Sequence, residues 1–232
     1  MIERVEKIQG KILKGILQLP ESTPYWGILH ETGIWPMEKK IWYHRLMLYQ
    51  NMMTSDNERL GKIVIESQQE QNGNNWYSYT VKIAGKLGIQ LEWIETMVKA
   101  KWKKEVKKRI EERIGKEMRE KEEKYKKMRH LIEQGFGRKK YLMEMGIKEA
   151  SDTIRRRLEM IDIGNNLGKN RKCKKCNTKE TIEHMIDCRR SGLEKDKIIK
   201  EWLKETEDIT IIRKVNEWLR REVEKNKEND ID

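Results

Sequence analysis

Three observations predict an all-α fold. Apolar residues recur three and four positions apart along nearly the whole chain, the spacing of one helix face. Runs of alternating β-branched residues, the mark of half-buried strands, are hard to find. Residues that start and stop helices fall between the apolar stretches, while proline is confined to three positions.

The first third is the best punctuated. Thr23 and Pro24 form an N-cap and first-turn pair, and Gly33 is placed to end the helix they start. Pro36 opens a second helix, with Met37, Ile41, Leu48 and Met52 expected on one inward face. Ser55 or Asp56 is expected to cap a third, with Leu60, Ile63 and Val64 inward. The stretch from Asn72 to Asn75 reads as a loop, and a helix from Trp76 to Leu87 ends at Gly88. Residues 1–90 therefore read as a small helical bundle, with Trp26, Trp35, Trp42 and Trp76 among its core candidates.

From Leu91 to about Gln134 the composition turns to lysine, arginine and glutamate. If residues 91–134 were one helix it would span roughly 60 Å. Ile94, Val98, Trp102, Val106, Ile110, Ile114 and Met118 fall every fourth residue. That period winds slowly around a 3.6-residue helix and suits no coiled-coil seam. The expectation is a helix that meets different partners along its length or lies largely in water. Glu105–Arg109 and Glu120–Lys124 are spaced to form stitching ion pairs along it.

Gly135, Gly137 and Gly146 interrupt the chain again. Short helices are expected near Arg138–Met145 and Ser151–Ile161, then a loop from Gly164 to Arg171. Beyond residue 190, Ile198, Trp202 and Leu203 mark one amphipathic helix. Ile211, Ile212, Val215, Trp218 and Leu219 mark another, capped by Asp208. The tail from Glu224 is charged and expected to fray.

Charge narrows the choice of partners. Lys plus Arg number 51 against 39 Asp plus Glu, a formal net charge of +12. Such a balance favours a polyanion, with RNA, DNA and an anionic membrane face all compatible. No apolar run approaches a membrane span, and the N-terminus lacks the apolar core of a signal peptide. The expectation is an intracellular chain with no membrane partner. No Ser-His-Asp arrangement, glycine-rich phosphate loop or catalytic carboxylate pair stands out. The chain is therefore expected not to be an enzyme on its own.

All three cysteines lie between residues 173 and 188, too few and too close for a disulfide framework. Cys173, Cys176, His184 and Cys188 read C-x2-C-x7-H-x3-C. Zinc wants four thiolate or imidazole donors at tetrahedral positions. The C-x2-C pair supplies two from one turn. His184 and Cys188, at i and i+4, share one face of a helix that Thr181 could cap. A closed four-ligand Zn2+ site is structural, since it leaves no open position for water. Arg171, Lys172, Lys174, Lys175, Lys179, Arg189 and Arg190 surround it, a rim suited to phosphate contacts. Arg155, Arg156 and Arg157 span three faces of one helix, so at least one flanks its apolar stripe. They are read as further nucleic-acid contacts, or as partners of Glu159 and Asp162.

The segment STPYWGILHETGIWPMEKKIWYHRLMLYQNMMTSDNERL resembles the region that follows the polymerase core in non-LTR (LINE-like) retrotransposon reverse transcriptases. KKYLMEMGIKEASDTIRRRLEMIDI, a loop, and then CKKCNTKETIEHMIDC resemble the C-terminal knuckle region of the same polyproteins, in the same order. The resemblance covers roughly residues 10–190. It implies that the bundle of 1–90 corresponds to a thumb and linker, and that 173–188, within the helical region 135–232, corresponds to the family's Cys-Cys-His-Cys motif; the long basic helix of 91–134 between them is less diagnostic. It also implies that these parts grip template RNA and target DNA, act in the nucleus, and work beside a separate reverse-transcriptase core. No aromatic-x-Asp-Asp sequence of a polymerase site occurs in this chain. The alternatives are a zinc-stabilised protein–protein scaffold and a non-functional fragment of such an element. The charged helix itself reads as an RNA cradle or as a solvated face. His44 and Arg45 read as backbone contacts or surface decoration, and Trp102 as a residue that could stack on a base.

Overall fold

A computed structural model describes residues 2–56, 59–71, 73–122, 136–158, 160, 172–173, 176–178, 184 and 208–228. The protein is all-α. Among the described residues there is no strand, apart from one isolated bridge residue at Lys172. The helices are α1 (Ile2–Ile16), α2 (Tyr25–Thr32), α3 (Met37–Met53), α4 (Leu60–Glu70), α5 (Trp76–Leu87), α6 (Trp93–Thr96), α7 (Lys99–Glu122), α8 (Tyr141–Glu144), α9 (Ile147–Arg157) and α10 (Ile209–Glu228). They form two compact units. One comprises Met1–Lys7 and Trp35–Glu120, the other Ile8–Ile34 and Lys121–Asp232. Residues 8–34 thus group with the C-terminal part of the chain, and the charged helix groups with α3 to α6.

In the first unit α3 and α5 follow the punctuation, whereas α4 starts at Leu60 with Arg59, not Ser55 or Asp56, at the cap position and no side-chain cap, and two helix faces depart from the apolar pattern. Pro36 precedes α3 and Gly88 ends α5 in the left-handed conformation, with φ 62°. However, α3 buries Lys39, Trp42, Leu46, Tyr49 and Gln50, and leaves Ile41 and Leu48 exposed. In α4, Leu60, Ile63 and Val64 face solvent and Ile65 is the buried residue. Gly61 and Gln68 explain the reversal. A Cβ on Gly61 would lie 3.2 Å from Met52, so that position faces α3. The Gln68 side chain accepts from the N–H of Tyr77 at 3.0 Å, while its backbone carbonyl accepts from the Asn75 amide. The inner stripe of α4 is therefore 61, 65 and 68, a glycine, an isoleucine and a glutamine.

Asn75 caps α5 by accepting from the Ser78 N–H at 2.8 Å, while Ser78 Oγ accepts from the Asn75 N–H at 3.1 Å. That reciprocal capping box fixes the start of the helix. Of the four tryptophans expected in a bundle of residues 1–90, Trp42 is buried and Trp26, Trp35 and Trp76 are half-buried.

The charged helix is not solvated all round. Trp102, Val106, Ile110 and Ile114 are 0% exposed and Met118 is 2% exposed, so the slowly winding stripe is covered along the described length of α7. Trp102 is therefore a core residue, and a stacking role for it is excluded. Val98 falls between α6 and α7 and is exposed. Of the two expected i, i+4 pairs, Glu105–Arg109 forms at 2.7 Å; Arg113–Glu117 forms at 2.8 Å as well, with longer pairs at Lys107–Glu111 and Lys108–Glu112. Lys124 lies outside the described residues. Lys39 of α3, buried, bonds Glu38 and, at 2.8 Å, Glu117 of α7. Its ammonium also lies 4.0 Å from the Trp42 ring centroid.

In the second unit α2 begins at Tyr25 with Pro24 at the cap position, and no side-chain cap hydrogen bond is made there. Gly33 ends it at φ 63°, and a Cβ there would meet the Arg138 backbone nitrogen at 2.3 Å. Only glycine meets both demands. Helix α9 starts at Ile147, four residues earlier than expected. It joins α10 through Glu149–Arg213 at 2.9 Å, Asp152–Arg220 at 3.1 Å and a buried Asn216–Thr153 hydrogen bond at 2.9 Å. Asp208 caps α10 by accepting from the Thr210 N–H at 2.8 Å, and Ile212, Val215 and Leu219 line the buried face. The helix runs to Glu228, past the point where fraying was expected. The helix expected around Ile198, Trp202 and Leu203 lies outside the described residues.

Candidate metal centre and cationic surfaces

Cys173, Cys176 and His184 come together. Their donor atoms all lie within 4.8 Å of one another, and Cys176 Sγ is 3.1 Å from His184 Nε2. Two backbone hydrogen bonds build the turn that makes this possible. The Asn177 N–H donates to the Cys173 carbonyl at 2.7 Å, and the Cys173 N–H donates to the Thr178 carbonyl at 2.7 Å. Closing so tight a loop forces Asn177 to φ 61°, a left-handed conformation that asparagine tolerates better than most residues. Cys173 and His184 are half-buried and Cys176 is exposed.

The donor set fits zinc. Bond lengths of about 2.3 Å to sulfur and 2.0 Å to nitrogen put tetrahedral donors about 3.5–3.8 Å apart. Donors all within 4.8 Å of one another bracket that spacing. Cys188, the fourth expected ligand, lies outside the described residues. So do Arg171, Lys174, Lys175, Lys179, Arg189 and Arg190 of the basic rim. Lys172 is described and is exposed.

The arginine run of α9 is divided by its surroundings. Arg157 turns into the core, where its Nε lies 3.0 Å from both carboxylate oxygens of Glu31. Tyr141 donates its hydroxyl to the same carboxylate, and His30 Nδ1 stands 3.7 Å from it, an electrostatic contact and not a hydrogen bond. Glu31 is 0% exposed. Burial pushes its carboxyl up, but the Arg157 guanidinium, with His30 and Tyr141 acting the same way, outweighs burial and holds it at about 2. Burial and the adjacent Glu31 charge push the Tyr141 phenol well above its ordinary value. Arg157 is thus committed to a buried ion pair between α2 and α9. This corrects its assignment as a phosphate contact. The alternative partners, Glu159 and Asp162, lie outside the described residues.

Arg155 and Arg156 are placed differently. Neither makes an ion pair within 4.0 Å among the described residues, and each has one side-chain nitrogen without a hydrogen-bond partner there. Burial pulls the Arg156 guanidinium down to about 10; Asp152 opposes this, while Arg220 and Arg155 act with burial. Arg156 is itself buried, at 5% exposed, so like Arg157 it presents no surface to a phosphate, and Arg220 pairs with Asp152; Arg155 is half-buried.

Sequence reasoning missed the Glu31–Arg157–Tyr141 network. One signal was available, the adjacent His30 and Glu31 in the otherwise apolar run YWGILHET. Sequence reasoning also left Arg45 undecided. Its guanidinium lies 4.9 Å from the Trp76 ring centroid and 5.9 Å from that of Tyr79, and Nη1 donates to the Trp76 carbonyl at 3.0 Å. No helix among the described residues is long and apolar enough to cross a membrane. Compared with known proteins, the chain matches no family model, no curated protein and no solved structure.

Proposed function

We propose that Cys173, Cys176 and His184, with Cys188 as fourth ligand, bind one structural zinc ion, and that the cations around it hold RNA or DNA. The convergence of the three donor atoms carries this reading. Zinc would contribute its binding energy to folding this segment and so fix the positions of Lys172, Lys174, Lys175 and their neighbours. Arg155, half-buried and with no carboxylate partner within 4.0 Å among the described residues, adds a further cation on α9. The chain would then be a nucleic-acid-holding module like the C-terminal region of non-LTR reverse transcriptases, acting in the nucleus beside a separate polymerase core. It would have no catalytic site of its own.

Titration of labelled structured RNA with the zinc-loaded chain at two salt concentrations tests this. About six phosphate contacts should weaken binding roughly a thousandfold between about 50 and 200 mM salt. The charge reversal Lys174→Glu with Lys175→Glu should lower affinity and leave zinc content unchanged. Affinity that ignores both salt and the reversal would refute the reading.

One observation favours a scaffold instead. Ile8, Ile12 and Ile16 form an exposed apolar stripe on α1, at 52%, 55% and 60%. Tight association with a reverse-transcriptase core and no RNA affinity would support that reading.

A further inference from the structure

Cations in the first unit differ in what surrounds them. On α7 the described arginines and lysines alternate with glutamates, and Arg109, Arg113, Lys107 and Lys108 are all ion-paired. Much of the charge that makes that helix look like a polyanion cradle is neutralised within the helix. Lys39 of α3 is likewise paired, with Glu38 and Glu117, but Arg45 of α3 and Lys82 of α5 are not. Arg45 and Lys82 have no carboxylate within 4.0 Å among the described residues, and both lie against aromatic rings. Lys82 Nζ is 5.2 Å from the Tyr79 centroid, and the Arg45 guanidinium is 4.9 Å from Trp76 and 5.9 Å from Tyr79.

Tyr79 is 52% exposed and Lys82 is exposed. Positions 76, 79 and 82 follow one another at i+3, so the three side chains share one face of α5. The mounting is rigid. The Asn75–Ser78 capping box fixes the helix start, and the Gln68 side chain accepts from the Tyr77 N–H at 3.0 Å. Trp76 also packs beside Tyr49, with ring centroids 6.4 Å apart. Arg45 spends one donor on the Trp76 carbonyl and keeps others of its five.

An exposed ring flanked by cations without acidic partners is what a single strand needs, a face for an unpaired base and charge for the phosphates on either side. We propose that Tyr79, Arg45 and Lys82 form a second nucleic-acid site that stacks one unpaired base of a single strand on Tyr79. The lack of described carboxylates at Arg45 and Lys82 favours a polyanion over a protein partner. The site shares only its class of ligand with the knuckle reading, because its residues belong to the other unit.

The test uses the full zinc-loaded chain and a fluorescein-labelled oligothymidylate of about twelve residues, within the span of one single-strand site, read by anisotropy. It is run in the parent and in the Lys174→Glu, Lys175→Glu background. Tyr79→Ala should weaken binding by about fivefold to a hundredfold in both. Tyr79→Phe, which keeps the ring, should stay within about twofold of the parent. Lys82→Gln should lower the slope of log affinity against log salt by about 0.7, the value for one phosphate on a single strand. Lys82 is exposed and its hydrogen bond to Asn74 is long, at 3.4 Å, so that variant remains informative if Tyr79→Ala disturbs helicity. Tyr79→Ala within about twofold of the parent, with Lys82→Gln leaving the salt slope unchanged, overturns the site, including the case where the patch serves a protein. If the rim reversal abolishes RNA binding while Tyr79→Ala does nothing, the knuckle reading stands and this one falls. If Tyr79→Ala abolishes binding while the rim reversal does nothing, this site stands and the knuckle reading falls.

Discussion

Replacing Arg157 with methionine isolates the buried ion pair between α2 and α9. The substitution keeps an unbranched apolar stem and removes the guanidinium bonded to Glu31, which is 0% exposed. A buried carboxylate that loses its cation costs about 3–5 kcal/mol. The acidity of Glu31 gives a second route to the same magnitude. Its carboxyl is held at about 2 against an ordinary 4.5. At about 1.4 kcal/mol per unit that difference corresponds to about 3 kcal/mol of stability. A depressed carboxyl stabilises the fold above its unfolded value and loses that contribution as pH falls toward its folded value. The parent should therefore be fully stabilised above about pH 5.5 and weaken progressively between about pH 5 and 2. Arg157→Met should lose most of that contribution at about pH 7. Arg157→Met with Glu31→Leu should recover much of the loss, because two apolar side chains leave no buried charge. Urea unfolding followed by circular dichroism measures the loss. Hydrogen exchange at residues 25–32 and 147–157 places it in α2 and α9. An Arg157→Met stability within about 1 kcal/mol of the parent, or unchanged exchange in both helices, would mean that the ion pair does not hold this unit together.

Two further predictions concern packing. Trp102→Ala removes a fully buried ring from the charged helix and should cost about 3–5 kcal/mol, visible as a large drop in melting temperature. A nearly unchanged melting temperature would mean that Trp102 does not pack in the core. Gly33→Ala must adopt φ 63° and place a methyl group 2.3 Å from the Arg138 nitrogen. It should destabilise the second unit by more than about 1 kcal/mol, and a neutral effect in urea unfolding would contradict the tight approach of 33 and 138.

Local chemistry decides the features that are legible in the sequence. Gly33 and Gly88 end helices because a left-handed residue is needed at each, and Asp208 caps α10 because its carboxylate reaches orphan N–H groups. The C-x2-C turn is readable because ligand spacing is a local property, and Asn177 takes the strained position the turn requires. The illegible features depend on residues distant in the chain. Nothing near Glu31 announces that Arg157, 126 positions away, will neutralise it. Hydrophobicity alone misplaces the inner faces of α3 and α4, where Lys39, Gly61 and Gln68 turn inward for an ion pair, a close approach and a hydrogen bond. The period of the α7 stripe locates it but does not reveal that it is covered throughout. Texture groups residues 1–90 together, and texture does not show that 8–34 belong with the C-terminal unit.

The metal site stands or falls on zinc stoichiometry across the ligand set. The chain should be purified without added metal, and zinc should be counted per chain in the parent and in Cys176→Ser, His184→Ala and Cys188→Ser. One zinc per parent chain is expected, with substoichiometric zinc and increased hydrogen exchange across residues 172–188 in each variant. Zinc absent from the parent, or retained at one per chain in all three variants, would contradict the assignment of these residues as ligands.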